Sequence, residues 1–478
     1  MAPNPRKSLR DRVKTWPDFP VRLVLACGAD SIAARVEGAT PLPCRNEAVE
    51  TATGRPVPLV ELRTTHHVRL VSDNAGLISC DVPELMGRET WFDVVGHGYE
   101  VPRDGLGSRG VRLTPQPGVR LKVEVRRTSI ARRLGRLTGA GLFAEAQRLG
   151  EHGDAAESGL VGCDSVQNAL HRGRLYWFWG DTTMPHYKLG LFHATGAVTD
   201  PAPFSKLEPP LVPNVSYRRD LPGRPRGVAD MPGDGPTWLS GVASVVDREG
   251  VPRLVASYVK VRPPLEVYRW GRCVWNETDE RFEPLDVLWN KSAESPTPPP
   301  MAEGHAVQWT DEAGRAWLLF GNPLPTLRMP ATFEAWQDRA TWEVLRPQTE
   351  LTSAVDGARV RPHGGSIAWN TFRRRWLAVF VEEFGKPSYL GEVWYAEADA
   401  PAGPFGPAVK ILTHENYTFY NPRQHPEFTV DPRSPALLFE GTYTATFAKH
   451  PDPTPRWEYN QVLYRIDLDD PRLQPAQR

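Results

Sequence analysis

Neither sign of charge prevails in this chain: 57 lysines and arginines stand against 57 aspartates and glutamates. That balance leaves no electrostatic ground for a nucleic acid or an anionic membrane as the main partner. Cysteine is scarce, with five residues in no paired or metal-type spacing, which argues against a disulfide framework and against a zinc site. No stretch is long and apolar enough to span a membrane. Long amphipathic stretches are also few, so helices are not expected to dominate.

What the 478 residues do contain is 48 prolines, 40 glycines and 16 tryptophans. Short apolar runs between such turn formers describe a mainly β protein. The length calls for two or more domains. Near the N-terminus a basic segment precedes an apolar run at residues 21–27, but Pro17, Asp18 and Arg22 interrupt it. Residues 21–26 therefore read as a first strand. A lipoprotein signal ending at Cys27 would need a longer apolar run, and the expected location is cytoplasmic.

In chain order, residues 1–18 read as a polar tail and 19–128 as one small β-sandwich built from short strands and Gly, Pro and Asn turns. Residues 129–155 depart from that pattern. Ile130, Leu134, Leu137, Leu142 and Phe143 recur at near-helical spacing with Arg132, Arg133, Arg136 and Arg148 between them, which predicts a short helical connector with a solvated basic face. From residue 156 to 470 a hairpin with an aromatic-rich second strand recurs five times. The architecture expected for this part is a five-bladed β-propeller, and residues 471–478 are expected to form a tail.

The first hairpin carries the leading chemistry. Its strands run from Gly162 to Leu170 and from Leu175 to Thr182 around a turn at Arg172 and Gly173, which sets Asp164 opposite Asp181. Cross-strand partners have Cβ atoms roughly 4.5–5.5 Å apart, so each acid perturbs the other and one can act as acid while the other acts as base. Centring the other turns in the same way pairs Ser240 with Lys260, Glu303 with Asn322, His305 with Phe320, His363 with Glu382, His425 with Thr442 and Glu427 with Glu440. Both ends of each hairpin open on one face of a propeller, so these groups would gather in an axial funnel. Carboxylates, histidines and a lysine beside Trp238, Tyr258, Phe384 and Tyr443 suit a carbohydrate, because flat rings stack on sugar faces while polar groups bind hydroxyls.

Two resemblances add to this reading. Gly54-Arg55-Pro56-Val57, Ser72-Asp73-Asn74-Ala75-Gly76 and Gly98-Tyr99 resemble the motifs of the carboxypeptidase-regulatory-like, or transthyretin-like, sandwich, which implies an accessory module. Gly162-Cys163-Asp164-Ser165 followed by Trp177-Phe178-Trp179-Gly180-Asp181-Thr182 is similar to the first blade of a group of bacterial five-bladed propellers that includes endo-D-arabinanases. That resemblance implies a glycoside hydrolase with Asp164 and Asp181 as its catalytic pair. Ala302-Glu303-Gly304-His305 is similar to the strand that carries the acid in arabinanase and xylosidase propellers, which adds Glu303 as a third catalytic candidate. His305 stands there in place of a proline.

The residues expected to bind substrate are Lys260, His305, Asn322, His363, Glu382, Arg423, His425, Glu427 and Tyr443. No cofactor is required by the carboxylate reading. A second reading is a metal-dependent lyase or oxidoreductase acting on a sugar, with a divalent metal at the propeller axis on His305, His363 and His425. A third is a glycan-binding propeller without catalysis.

Overall fold

The computed structural model describes residues 42–152, 158–201, 207–221, 223–429, 431–448 and 452–477. The strand expected at residues 21–26 and the tail at 1–18 lie outside them. The described chain is mostly β.

Its N-terminal part forms two four-stranded sheets. In one, Cys44–Glu50 lies between Leu77–Cys80 and Arg120–Arg127, with Tyr99–Glu100 beyond. In the other, Glu61–Thr64 and Thr90–Val95 are flanked by Arg69–Val71 and Gly110–Leu113. The strand Arg120–Arg127 shows why the chain folds this way. Val123 and Val125 are buried while Arg120, Lys122, Glu124 and Arg126 face water, the two-residue period of a half-buried strand. Phe92, Val94 and Leu62 from the second sheet complete the same core as Ala48, Ile78, Val123 and Val125 from the first.

Five further four-stranded antiparallel sheets follow among the described residues. The first holds Gln167–His171, Arg174–Trp179, Thr195–Thr199 and Ser216–Tyr217. The second is Thr237–Val246, Pro252–Arg262, Glu266–Asn276 and Arg281–Asn290. The third is Val307–Thr310, Ala316–Gly321, Pro325–Pro330 and Glu343–Val344. The fourth is Pro362–Asn370, Arg375–Glu382, Val393–Ala398 and Val409–Leu412. The fifth joins Thr418–Gln424, Ala436–Thr444 and Asn460–Asp467 to Arg132–Arg136, a strand that precedes all the others.

Neighbouring sheets are tied by side chains near the start of each sheet. His171 Nδ1 meets Ser244 Oγ at 2.7 Å, and the Gly304 N–H donates to Ser240 Oγ at 2.8 Å. The Gly365 N–H donates to Asn322 Oδ1 at 3.3 Å, and the Gln424 N–H to Ser366 Oγ at 2.8 Å. Arg423 Nε then donates to Asn168 Oδ1 at 2.8 Å, which connects the fifth sheet to the first.

Two expectations are corrected here. Arg132–Arg136 is a fully buried strand and not a helix, and Ala144–Arg148 is the α-helix of the 129–155 segment. Arg148 is exposed, but Arg132, Arg133 and Arg136 are not solvated: Arg133 donates to the carbonyls of Pro58, His97 and Leu59 at 2.9, 3.1 and 3.1 Å and lies over the Tyr99 ring. Those carbonyls satisfy a charge that burial would otherwise penalise. Residues 471–477 are likewise not a loose tail. Pro471–Gln477 is a 3₁₀-helix, and Leu473 and Ala476, three apart and so on one face of it, enter the core.

Candidate active site

The first hairpin has the expected register. Gln167 pairs with Phe178 and His171 with Arg174 across a two-residue turn in which Arg172 and Gly173 both have positive φ, 49° and 77°. That is the turn whose twist suits a hairpin. Further along, Cys163 pairs with Thr182, the Asp164 N–H donates to the Asp181 carbonyl at 3.3 Å, and the Gly180 N–H donates to the Asp164 carbonyl at 2.8 Å. Asp164 and Asp181 therefore share one end of the hairpin.

Gly180 makes room for the first of them. A Cβ at that position would stand 2.4 Å from Asp164 Oδ1, closer than two such atoms approach. Tyr420 donates to Asp164 Oδ2 at 2.8 Å, and Tyr459 lies beside the same carboxyl. The Trp238 indole N–H donates to Asp181 Oδ1 at 3.2 Å. Burial, and then the neighbouring Asp181 charge, push the Asp164 carboxyl up to about 7 against the pull of the two tyrosines. Burial also raises Asp181, opposed by Trp238. Among the described residues, no lysine or arginine is a leading cause of the shift in either acid. Two like charges at one end of a hairpin repel, so the pair holds a proton more readily than an isolated carboxyl does.

Glu303 sits at the entry to the third sheet. The residue after it, Gly304, has φ +77° and is held on both sides, its N–H on Ser240 and its carbonyl on the Gly241 N–H at 2.9 Å. A Cβ on Gly304 would lie 1.9 Å from the Gly321 carbonyl oxygen. Glu303 is exposed as a residue, and desolvation by the protein around its carboxyl raises it above the ordinary value.

Other expected site residues divide into two groups. Asn322, His363, Glu382 and Arg423 remain exposed or half-buried. Asn322 accepts from Gly365 as above, and Glu382 accepts from Trp394 Nε1 at 2.9 Å. The second group is buried and engaged by the protein itself. Lys260 donates to the Gly235 carbonyl and Thr237 Oγ1 at 2.6 and 3.1 Å. Tyr443 meets His97 Nε2 at 2.8 Å, turned toward the N-terminal sheets and away from any funnel. His425 places Nδ1 3.0 Å from Glu427 and Nε2 2.8 Å from Glu440. Lys260, Tyr443, His425 and Glu427 are thus corrected from substrate contacts to internal ones. His305 is buried beside Arg423 and His425, and burial holds it well below the ordinary histidine range.

The three histidines of the metal-binding alternative do not form a ligand set among the described residues. Both ring nitrogens of His425 are taken by carboxylates, His363 is exposed, and among the described residues no group of three or more His, Cys, Asp or Glu could hold a metal ion.

Several registers slip from the expected ones. Lys260 pairs with Thr237 and Ser240 with Ser257, because the turn is centred one residue earlier, with Val246 opposite Pro252, and a bulge between Ser240 and Ala243 adds a further residue to one strand. Val307 pairs with Leu319, one step from the pairing expected for His305 and Phe320. Pro362, not His363, pairs with Glu382 beyond another bulge. Thr442 pairs with Tyr420 and Glu440 with Arg423, because the single turn Pro426–Phe428 lengthens the connection.

That last slip hid a functional residue. With the true register, Tyr420 would have been seen opposite Thr442, whose Oγ1 accepts the Ser165 N–H at 3.0 Å. Tyr459 carried no sequence signal, since it comes beside Asp164 from a loop. Phe447, 54 % exposed, stands edge-on to Tyr420 with ring centroids 6.4 Å apart, an apolar surface near the acid pair.

No family model matches the chain, and no curated protein matches it. Among solved structures it is similar to an exo-1,5-α-L-arabinanase from a bovine ruminal metagenomic library, with 11% identity over 64% of this chain and 94% of that one, at a TM-score of 0.37. A putative exo-β-1,3-galactanase from Bifidobacterium bifidum s17 has 10% identity over 65% and 89%, at 0.38. A GH43_1 enzyme from Xanthomonas citri complexed with xylotriose has 10% identity over 64% and 87%, at 0.35.

Proposed function

We propose that the chain is a glycoside hydrolase in which Asp164 and Asp181 cleave an O-glycosidic bond. The observation that carries this reading is a cross-strand pair of acids without a counter-ion among the described residues, one of them pushed up to about 7. Asp164 protonates the glycosidic oxygen as the bond from that oxygen to the anomeric carbon breaks. Asp181, with its charge oriented by Trp238, attacks the anomeric carbon. Water, losing its proton to Asp164, then displaces Asp181. Carboxyl groups about 5 Å apart belong to retaining enzymes, and adjacent cross-strand residues favour that spacing. Phe447 offers a face on which a sugar ring can stack.

In the same reading the five sheets are the blades of a five-bladed propeller, supported by side-chain ties that run from each sheet to the next and from the fifth back to the first. The two N-terminal sheets are a transthyretin-like sandwich, supported by their shared core. Glu303 is a second candidate partner for Asp164, favoured by its exposure and its raised carboxyl.

The test is hydrolysis of a panel of aryl glycosides and arabinan-type oligosaccharides by wild type and Asp164→Asn, with the anomer first released read by NMR. Cleavage with retention, reduced roughly 10²–10⁴-fold in the variant, is the expected outcome. An Asp164→Asn protein as active as wild type would overturn the assignment, and inversion would replace Asp181 with Glu303.

A further inference from the structure

Two phenylalanines are placed against the ordinary rules in the same way. Phe384 and Phe447 are 56 % and 54 % exposed, and both take left-handed backbone, with φ of 60° and 65°. A bulky residue with a Cβ adopts that region at a cost that glycine does not incur. Rings left more than half in water bury little apolar surface to offset it. Strain of this kind persists at sites that use it.

The two hold matching places in the fold. Phe384 follows the second strand of the fourth sheet, Arg375–Glu382, and Phe447 the second strand of the fifth, Ala436–Thr444. Asp181 follows the second strand of the first, Arg174–Trp179. The first strands of these sheets start at one rim, because their contacts advance together. Asn421 Nδ2 donates to Ser165 Oγ at 3.0 Å and Arg423 Nε to Asn168 Oδ1 at 2.8 Å. Gly364 likewise lies against Asn421, and Ser366 Oγ accepts from the Gln424 N–H.

Phe384 has a companion. Tyr389, 39 % exposed, stands edge-on to it with ring centroids 5.2 Å apart. The backbone that carries both is fixed from below: the Gly385 N–H donates to the Tyr389 carbonyl at 3.1 Å, the Asn416 N–H to Ser388 Oγ at 2.7 Å and the Phe419 N–H to the Leu390 carbonyl at 2.7 Å. The buried Glu392, held by Lys410 and Thr413 at 2.9 and 2.8 Å, accepts from the Ser388 N–H at 3.3 Å. Two rings on a fixed backbone are a preorganised surface, which loses little freedom when a ligand lies on it. Beside them Arg361 and Glu383 neutralise each other at 3.4 Å, which suits an uncharged ligand. His363, next to the Pro362 that pairs with Glu382, is exposed at the same rim and can bind a hydroxyl.

The two platforms differ in their distance from the acids. Phe447 stands against Tyr420, which donates to Asp164. Phe384 lies further off: Pro362, opposite Glu382, is two strand positions, roughly 7 Å, from Gly364, and Phe384 is two residues beyond Glu382. A single sugar ring on the acid pair does not reach it.

We propose that Phe384 and Tyr389 form a second, outlying sugar subsite on the fourth sheet, so that the substrate of the acid pair is an uncharged oligosaccharide chain running from Phe447 to Phe384. The proposal rests on the reading of Asp164 and Asp181 as the groups that cut a glycosidic bond.

The experiment reads binding and does not depend on cleavage. Calorimetric titration of the Asp164→Asn protein with arabino- and xylo-oligosaccharides is expected to show a hexasaccharide bound roughly 10-fold more tightly than the disaccharide of the same series. Phe384→Gly in that background removes the ring and the backbone cost together. It is expected to abolish the roughly 10-fold gain, leave disaccharide affinity unchanged and keep or raise the melting temperature. Tyr389→Ala is expected to weaken the hexasaccharide in the same direction. Equal affinity for the two lengths, or no binding of either series, overturns the proposal. An equal loss for both lengths overturns it too, since the ring would then act beside the reacting bond. A lowered melting temperature with hexasaccharide affinity intact would make Phe384 a residue of the fold and overturn it as well. Hexasaccharide binding that depends on Phe384, with no hydrolysis by the wild type, would instead sink the glycosidase reading and leave the subsite standing.

Discussion

The acids around His425 and the acids of the first hairpin are handled in opposite ways. Glu427 and Glu440 hold His425 between them, with Arg423 beside them. His425 is raised by the two carboxylates despite its burial and Glu427 is lowered by Arg423 and His425 despite its own, while burial raises Glu440 against the pull of His425. Among the described residues, the side-chain donors to Asp164 and Asp181 are neutral, the Tyr420 hydroxyl and the Trp238 indole. Their carboxyls rise. An acid paired with a buried cation becomes a fixed ion that ties strands together, whereas an acid left with neutral donors keeps a proton it can give away.

If that contrast is real, the two clusters fail differently. His425→Leu leaves two buried carboxylates without their shared cation and is expected to cost about 3–5 kcal/mol of stability, measured by denaturant unfolding. An unchanged midpoint would mean that the cluster is not an ion pair at all. Gly180→Ala attacks the other cluster without touching an acid. Its methyl displaces the Asp164 carboxylate, and a loss of roughly 10²-fold in kcat/KM is expected from a misplacement of that kind, with far-ultraviolet circular dichroism preserved.

The smallest effect is the one that sharpens the comparison most. Asp164 binds its proton more tightly in the folded chain than at its ordinary value of 3.8. The stability this contributes is full below about pH 4 and is lost as the pH rises through about 7, because the unfolded chain releases the proton first. Denaturant midpoints of wild type should therefore fall over that window relative to those of Asp164→Asn. Parallel pH profiles for the two proteins would remove the distinction between the clusters.

The same two regions show what was legible beforehand. The Asp164–Asp181 pairing could be read because a two-residue turn at Arg172 and Gly173 leaves one register open to the strands. The pairings of His425 and Glu440 could not. A bulge between Tyr420 and Arg423 and the single turn Pro426–Phe428 shift that hairpin, and neither has a strong local signature. Arg132–Arg136 misled for a related reason. Ile130, Leu134 and Leu137 have helical spacing, and the strand that overrides it, Asn460–Asp467, lies more than three hundred residues later.

The sequence by itself determined the β character, the succession of hairpins and the juxtaposition of Asp164 with Asp181, since alternation and turn chemistry act over a few residues. Only the tertiary structure decided which neutral donors surround those acids, that His425 is an internal ion, and that Tyr420 reaches Asp164 from the fifth sheet. Those contacts join residues hundreds of positions apart. Their geometry follows from how the sheets pack, and no local pattern in the chain encodes it.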